Sequence, residues 1–474
     1  MNHHLANDKA SIKEILNATK LLTDKYLSRQ NDLPPGRFVP DIQMESLPQH
    51  GIGAKAALEF FEINYADKMT NSAGPRYFGF VTGGSTPAAL AGDWLVSTYD
   101  QNACGSNDSI APQLERQTIH FFKELFGLDE SYYGSFVTGA TMSNFTSLSL
   151  ARQWVGEQHN IDFSTEGLSL SKPIKVVSGT PHSSVVKSLA MLGLGRNAVV
   201  KVATLPEREA IDIQALENYL EQHREPLIVV ANAGTVNTVD FDDLKAIGKL
   251  KAKYNFWLHV DAAFGGFAAC SEKFKHYLDG INDADSVTVD AHKWLNVPYD
   301  AAMQFTRHKH LQLKVFQNSA AYLTDPEKNQ DYFHYTPENS RRFRALPSWF
   351  TLMAYGREGY RDIVERNCHV AFSFGELFKN SERFRLLAPV RMNVVCYTLS
   401  NANVSAEDIR KFLDAVRDDG RAFFTPTVYK GIHAIRLAVS NWLTDDHDVE
   451  VTYRALNEVH EALYNRKETV PVLP

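Results

Sequence analysis

The chain has 474 residues, of which 44% are hydrophobic, 22% charged and 11% aromatic. A chain of this length and composition buries enough apolar surface to fold without disulfides, which excludes disordered, collagen-like and disulfide-stapled small proteins. The 49 lysines and arginines against 56 aspartates and glutamates give a net charge of −7, which argues against a general nucleic-acid binder.

The first 74 residues predict a helical arm. Residues 11–30 place apolar side chains at helical spacing, and a second helical pattern begins at Ala54. The prolines that follow the first helix favour an extended segment between the two. The first residues have no apolar core of the kind found in secretory signals, and no stretch of about 20 mostly apolar residues predicts a membrane span.

Residues 75–350 predict a large α/β domain, and residues 351–474 a small α+β domain. Short β-branched runs alternate with helical patterns in the large domain, which predicts a mostly parallel sheet covered by helices on both faces. The predicted strands are 174–177, 199–202, 227–231, 257–260 and 286–289. The fold class is therefore α/β, with an arm at 1–74 and a small domain at the C-terminus.

Chemically reactive side chains follow four of these predicted strands: His182, Thr235, Asp261, and the pair His292 and Lys293. Ligands bind beyond the carboxyl ends of parallel strands, so we expect these side chains to converge at one edge of the sheet. Desolvation after a buried strand would make a lysine a better nucleophile. A lone lysine at a strand end more often extends into solvent, so the neighbouring groups decide between the two interpretations.

A phosphate site is predicted at residues 134–154, which read as a strand, a Gly-Ala-Thr turn and a helix that opens near Met142. The free N–H groups of a first helical turn, with the hydroxyls of Thr138, Thr141 and Ser143, can bind a phosphate. Alone, this pattern is equally typical of a helix cap. Together with a lysine and a carboxylate, it favours pyridoxal 5′-phosphate (PLP) as the cofactor, and we expect no metal.

With these residues in place, the sequence resembles the group II PLP-dependent amino-acid decarboxylases from about residue 74 to about residue 444. The motif HVDAAFGG at 259–266, followed by DADSVTVDAHKWLNVPYD at 283–300, carries the resemblance. It implies a PLP-dependent transferase fold of type I and release of CO2 from an amino acid to form an amine. It also implies a homodimer with sites at the interface. We expect this protein in the cytoplasm, without nucleic-acid or membrane partners.

The resemblance implies roles for five residues around the cofactor ring. Lys293 would bind the cofactor covalently, and Asp261 would hold the pyridine nitrogen protonated. Ala263 would pack beneath the ring and His182 would stack on its other face. Thr235 would lie near the ring hydroxyl.

At the phosphate, the resemblance implies binding by Ala140 and Thr141, supported by His292. The family usually has Gly-Gly-Ser or Gly-Ala-Ser at this turn. The Gly-Ala-Thr of this chain keeps the hydroxyl, so the difference is small.

The family also has a loop tyrosine that returns a proton to the substrate carbon after CO2 leaves. Alignment on SRRFR at 340–344 assigns this position to Tyr332, with Tyr335 as the alternative. Either could instead be an ordinary loop aromatic.

Substrate specificity is the least determined property. Tyr77 and Phe80 favour an aromatic L-amino acid, and Arg436 is a candidate for the substrate carboxylate or a buried structural ion pair. Acidic and diamino substrates (glutamate, aspartate, 2,4-diaminobutyrate) stay open. An aldehyde synthase or a C–C lyase on the same fold is also open.

Overall fold

A computed structural model describes residues 1–39, 41–42, 44–105, 108–168, 173–318, 330–401 and 403–464. The α-helices are α1 (His3–Ala10), α2 (Ile12–Leu27), α3 (Ala54–Asn64), α4 (Pro87–Tyr99), α5 (Ala111–Phe126), α6 (Ala140–Gln158), α7 (Phe163–Glu166), α8 (Ser183–Met191), α9 (Ile213–Gln222), α10 (Leu244–Lys251), α11 (Ala291–Trp294), α12 (Lys309–Phe316), α13 (Ala345–Lys379), α14 (Ala406–Asp419) and α15 (Asp446–Tyr464). The strands are β1 (Tyr133–Val137), β2 (Val176–Ser178), β3 (Val199–Lys201), β4 (Leu227–Asn232), β5 (Phe256–Asp261), β6 (Ser286–Val289), β7 (Ala302–Thr306), β8 (Phe384–Leu386), β9 (Val394–Leu399), β10 (Thr425–Tyr429) and β11 (Ile432–Ala438).

The seven-stranded sheet has the order β1-β7-β6-β5-β4-β2-β3. Strands β6, β5, β4, β2 and β3 pair in parallel, whereas β7 is antiparallel to both of its neighbours. Every residue of β4, β5 and β6 is buried, as expected for parallel strands that are covered on both faces. The predicted mostly parallel sheet is confirmed, and β1 runs in the same direction as β6.

Helix α6 is fixed against the centre of this sheet by polar contacts. The Ser143 hydroxyl bonds the Thr288 hydroxyl at 2.8 Å and donates to the Met303 carbonyl at 2.9 Å. The helix begins at Ala140, two residues before the predicted start. Its first turn therefore lies at the carboxyl edge of the sheet, next to the ends of β5 and β6.

A second, four-stranded antiparallel sheet has the order β10-β11-β9-β8. Helices α14 and α15 pack on each other, and α14 begins with a capping box formed by Ser405 and Asp408. The predicted boundary at 350 and 351 lies inside α13, which contacts both α4 and strands β8 and β9. Its backbone departs from helical geometry at Gly356.

The N-terminal helices α1, α2 and α3 contain no buried residue. Large apolar side chains are exposed along them: Leu5, Ile12, Leu16, Leu21, Leu27, Phe60, Phe61 and Ile63. Among the helices of the described ranges, none is both long enough and apolar enough to cross a membrane.

Candidate active site

The carboxyl ends of the parallel strands border a cavity of about 290 Å³. This is close to the lower limit of small-molecule sites, about 300 Å³. The predicted residues on its wall are Phe80, His182, Thr235, Asp261, Ala263, His292, Lys293 and Arg436. The structure thus brings together residues that are up to 356 positions apart in the sequence (436 − 80).

Lys293 lies in the short helix α11, directly after β6. The next residue, Trp294, is buried, and its indole N–H donates to the side-chain oxygen Oδ1 of Asn367 at 2.8 Å. This bond anchors the helix in the core. The Lys293 side chain is 18% exposed, and its Nζ lies 3.7 Å from Asp290 Oδ2 and 5.7 Å from the Phe264 ring. The amine is therefore accessible from the cavity but mostly shielded from bulk water.

Backbone approach from the opposite side leaves no room for a side chain at Gly83. A methyl group added there would overlap the Lys293 carbonyl oxygen. Glycine at this position therefore lets the backbone at residue 83 pack directly against the backbone of Lys293.

Asp261 is the last residue of β5 and is 6% exposed. Its Oδ1 accepts the backbone N–H of Ala263 at 3.2 Å, and its Oδ2 accepts an amide N–H of Asn144 at 3.0 Å. Two neutral donors thus orient the carboxylate without neutralising it. A carboxylate in this state is a suitable partner for a protonated ring nitrogen.

His182 is the cap residue of α8. Its Nδ1 accepts the backbone N–H of Ser184 at 3.2 Å and lies 2.7 Å from the Ser184 hydroxyl. Burial lowers the pKa of His182, which favours the neutral form of the ring. A neutral imidazole on the cavity wall can stack on a planar ligand ring.

The hydroxyl of Thr235 has a fixed direction. It donates to Glu209 Oε2 at 2.6 Å and accepts the Asp240 backbone N–H at 2.9 Å. Because its one proton is used by Glu209, Thr235 can only accept a hydrogen bond from a ligand.

Of the predicted phosphate residues, His292 lines the cavity, whereas Ala140 and Thr141 do not. The N–H of Ala140 donates to Asp290 Oδ2 at 3.2 Å, and His292 Nε2 lies 3.1 Å from Asp290 Oδ1. Asp290, the residue that follows β6, thus lies against the first turn of α6 and occupies the N–H of Ala140.

Of the predicted substrate residues, Phe80 and Arg436 line the cavity and Tyr77 does not. Tyr77 stacks on Phe423 with ring centroids 4.9 Å apart. Phe80 is 59% exposed, so its ring is free to contact a ligand. Arg436 is 9% exposed, and within the described ranges its Nε–H has no hydrogen-bond partner.

The structure does not bring Tyr332 or Tyr335 to the cavity. Both rings lie near Tyr133, the first residue of β1, with centroid distances of 6.4 Å for Tyr332 and 5.1 Å for Tyr335. Tyr332 is fully buried, with the guanidinium of Arg341 4.4 Å from its ring. Arg341 is held there by its buried ion pair with Glu115 at 2.8 Å.

The sequence prediction lacks several residues of the site, and those with polar or aromatic side chains include Asn144, Asn232, Phe264 and Tyr299. Asn232 ends β4, so the rule that ligands bind at strand ends could have identified it. Phe264 and Tyr299 lie inside the two quoted motifs. Asn144 is one turn into α6 and had no comparable signal.

His259, in the middle of β5, gives the protein a predictable acid sensitivity. Complete burial lowers the pKa of His259 to about 4, against about 6.5 in the unfolded chain. As the pH falls from 7.5 to 4, the unfolded chain gains this proton first, so up to about 3 kcal/mol of unfolding free energy is lost.

A His259→Gln variant lacks this contribution. We expect it to be less stable than the parent protein at pH 7.5, and we expect the difference to narrow by about 3 kcal/mol at pH 4. Urea unfolding at both pH values measures this difference. A difference that stays constant with pH would contradict the buried, neutral histidine.

The site has the chemistry that PLP requires. Its cavity wall carries a shielded amine, an oriented carboxylate and a neutral imidazole, and the first turn of α6 is adjacent. Two buried donors on the wall, Asn232 Nδ2 and Arg436 Nε, have no partner among the residues described. Unpaired buried donors are costly unless a ligand accepts from them, so the residues fit an anionic, acceptor-rich cofactor.

Comparison with known proteins agrees with this geometry. Residues 40–400 match the family model described as the pyridoxal-dependent decarboxylase conserved domain. The aromatic-L-amino-acid decarboxylase of Bacillus atrophaeus is 28% identical over 84% of this chain and 83% of its own length. The 4-hydroxyphenylacetaldehyde synthase of Rhodiola rosea is 24% identical over 92% of this chain and 90% of its own.

A solved structure of TDC from Oryza sativa with PLP and tryptamine superposes with a TM-score of 0.88. It is 21% identical, and the match covers 96% of this chain and 98% of that one. This likeness confirms the fold type I architecture. The family model spans most of the chain, including both motifs and Lys293. The chain therefore belongs to the pyridoxal-dependent decarboxylase family and is a PLP-dependent amino-acid decarboxylase.

Proposed function

We propose that this enzyme decarboxylates an aromatic L-amino acid and releases the corresponding amine. The observation that carries the proposal is the set of aromatic rings on the cavity wall. Phe80, Phe264 and Tyr299 share this wall with Lys293. Apolar rings favour an aromatic side chain because its transfer from water contributes to binding.

The charges of the cavity support the same substrate class. Apart from Lys293 and the two histidines, Arg436 is the cation among the described wall residues, and Asp261 is the acid. In this proposal Arg436 binds the substrate α-carboxylate and Asp261 serves the cofactor. An acidic substrate would then lack a second cation, and a diamino substrate would lack an acid.

PLP, when bound, supplies an electron sink for the bond that breaks. In the proposal, the Lys293 amine would hold the cofactor until the substrate amine takes its place. Asp261 keeps a proton on the ring nitrogen, and His182 and Ala263 enclose the two faces of the ring. Arg436 orients the carboxylate group that leaves.

Ala140, Thr141 and His292 form the proposed phosphate end. Ala140 bonds Asp290, so in this proposal the other first-turn N–H groups of α6 and the Thr141 hydroxyl contact the phosphate. His292 is kept in place by the Ala301 backbone N–H, which donates to its Nδ1 at 3.3 Å.

For the returning proton we retain Tyr332 as the proposed donor, with Tyr335 as the alternative. This role requires the 330–336 segment to leave the position described above, in which Tyr332 is buried against Arg341. A Tyr332→Phe variant that still consumes substrate but yields aldehyde in place of amine supports the role. Unchanged amine formation by both single variants removes both tyrosines from the mechanism.

We also propose a cytoplasmic homodimer with the active sites near its interface. The exposed apolar side chains of α1, α2 and α3 support a partner surface on the N-terminal arm. In this arrangement the chain divides into an arm at 1–74, a cofactor domain at 75–350 and a small domain at 351–474. Sedimentation of the full-length chain tests the dimer.

A substrate panel tests the proposed function. We expect CO2 release from phenylalanine, tyrosine, tryptophan or dihydroxyphenylalanine to exceed that from glutamate, aspartate and 2,4-diaminobutyrate by at least about 100-fold in kcat/KM, because each of the latter would place one unpaired side-chain charge in the cavity. Amine, aldehyde and peroxide are measured in the same samples. A preference for an acidic or diamino substrate contradicts the proposal, and equal amounts of aldehyde and peroxide indicate an aldehyde synthase.

A further inference from the structure

A chain of four hydrogen bonds connects Asp261 to the interior of the large domain. Asn144 donates to Asp261 Oδ2 at 3.0 Å, and His259 Nε2 lies 2.9 Å from Asn144 Oδ1. His259 Nδ1 lies 2.9 Å from the Ser286 hydroxyl, which accepts the indole N–H of Trp257 at 2.9 Å. All five side chains are buried.

The Asp261 end of this chain fixes its direction. The Asp261 carboxylate can only accept, so the Asn144 amide must turn its N–H groups toward Asp261 and its carbonyl toward His259. A neutral His259 therefore carries its hydrogen on Nε2 and donates to that carbonyl. Its Nδ1 then accepts from the Ser286 hydroxyl, whose oxygen accepts the indole N–H of Trp257.

A branch of the same chain reaches His182. The second N–H of Asn144 donates to the Ser184 hydroxyl at 3.0 Å, and that hydroxyl lies 2.7 Å from His182 Nδ1. Since Ser184 accepts from Asn144, its own proton is directed to His182 Nδ1. His182 is thereby held with its hydrogen on Nε2.

The side-chain amide of Asn144 therefore orients two groups of the active site, the Asp261 carboxylate and the Ser184 hydroxyl beside His182. The Asn144 side chain is fully buried, and it is the described residue that bonds both the carboxylate of Asp261 and the hydroxyl that orients His182. Its carbonyl oxygen is occupied by His259, so the amide cannot rotate without breaking three hydrogen bonds.

We propose that Asn144, supported by His259, is a positioning residue that turns Asp261 toward the cofactor nitrogen and directs the Ser184 hydroxyl proton to His182. The Ser184 backbone N–H donates to the same nitrogen of His182, so the two Ser184 groups act together on its tautomer. This inference rests on the proposed roles of Asp261 and His182 at the cofactor.

Nitrogen NMR of the full-length chain tests the chain of bonds itself. With 15N-labelled histidine, we expect His182 and His259 to carry hydrogen on Nε2 alone near pH 7.5, with and without PLP. The His182→Gln and His259→Gln variants assign the two signals. A hydrogen on Nδ1 of either ring in the parent protein would overturn the proposal, and this result needs no stable substitution in the core.

Cofactor binding tests the effect on Asp261. We expect Asn144→Ala, which favours the helix, to weaken PLP at least about tenfold, because an oriented hydrogen bond to a charged group is lost. We expect the same variant to move the 15N signal of the labelled pyridine nitrogen toward the unprotonated position. His259→Leu should act in the same direction, and His259→Gln, whose amide can donate to Asn144, should restore binding to within about threefold.

Gln304→Leu is the matched control, because Gln304 is a fully buried amide on β7 that bonds Ser135 and has no link to Asp261. The inference is overturned if Asn144→Ala has the same PLP affinity and the same 15N signal of the pyridine nitrogen as this control. If Asp261→Ala also leaves both readouts unchanged, the proposed role of Asp261 fails instead.

Discussion

Replacement of Lys293 by alanine is expected to lower kcat by about four orders of magnitude or more, because the enzyme loses the amine that holds the cofactor and exchanges it with substrate. The cavity offers no substitute: the other basic side chains described on its wall are two histidines and Arg436, and none is a primary amine. Single-turnover CO2 release with the preferred substrate measures the loss.

Lys123→Ala is the control for this change. Lys123 lies on α5, its side chain is 9% exposed, and its Nζ pairs with Glu130 Oε2 at 2.6 Å. It is a shielded amine that does not line the cavity. Activity within about threefold of the parent enzyme is expected for this variant, as for substitutions away from the chemistry. Equal losses in both variants would mean that Lys293 has only a structural role.

The second large effect is expected at Asp261. Asp261→Ala and Asp261→Asn both remove the charge that stabilises a protonated ring nitrogen, and we expect kcat to fall by about 100- to 1,000-fold. PLP affinity is expected to fall as well, since the ring nitrogen loses its anionic partner. Steady-state kinetics at saturating PLP separates the two effects.

Asp285 is the matched control for Asp261. It is a buried carboxylate that bonds the backbone of the same strand, β5, at Leu258. Its Oδ2 accepts the Leu258 backbone N–H at 2.7 Å, and it pairs with Lys251 and His308 at 2.7 Å each. Burial opposes ionisation, but the bonds from His308 and Lys251 prevail and lower the pKa of Asp285.

Asp285→Asn is therefore expected to lose about 1–3 kcal/mol of unfolding free energy at pH 7 while retaining kcat. If kcat falls as much as in the Asp261 variants, the loss of any carboxylate that contacts β5 is enough to lower kcat. That result would remove the specific role of Asp261.

Much of the large domain follows from local sequence patterns. The predicted strands at 227–231, 257–260 and 286–289 coincide with β4, β5 and β6, since continuous β-branched runs between turns suit parallel strands buried on both faces. Reactive side chains directly after such strands must share one edge. For this reason His182, Thr235, Asp261 and Lys293 could be placed together before the structure was known.

Other features depend on contacts that no local pattern encodes. Strand β7 lies between β1 and β6 and is antiparallel to both, and this pairing joins segments that are far apart in the sequence. The pairing determines the direction of β1, and therefore the edge of the sheet at which its carboxyl end lies. Tyr332 does not line the cavity, because its ring packs beside Arg341, which is held by its buried ion pair with Glu115. Asn144 escaped prediction because a buried asparagine in a helix acquires its role only from the side chains around it.

The central claim is that the side chain at position 293 forms the covalent attachment to the cofactor. Borohydride reduction of the PLP-loaded enzyme, followed by protease digestion and mass spectrometry of the peptides, tests it directly. The account predicts a reduced pyridoxyl group on Lys293 in nearly every molecule. A modified lysine elsewhere in the chain, or an unmodified Lys293 in folded enzyme supplied with PLP, would contradict it.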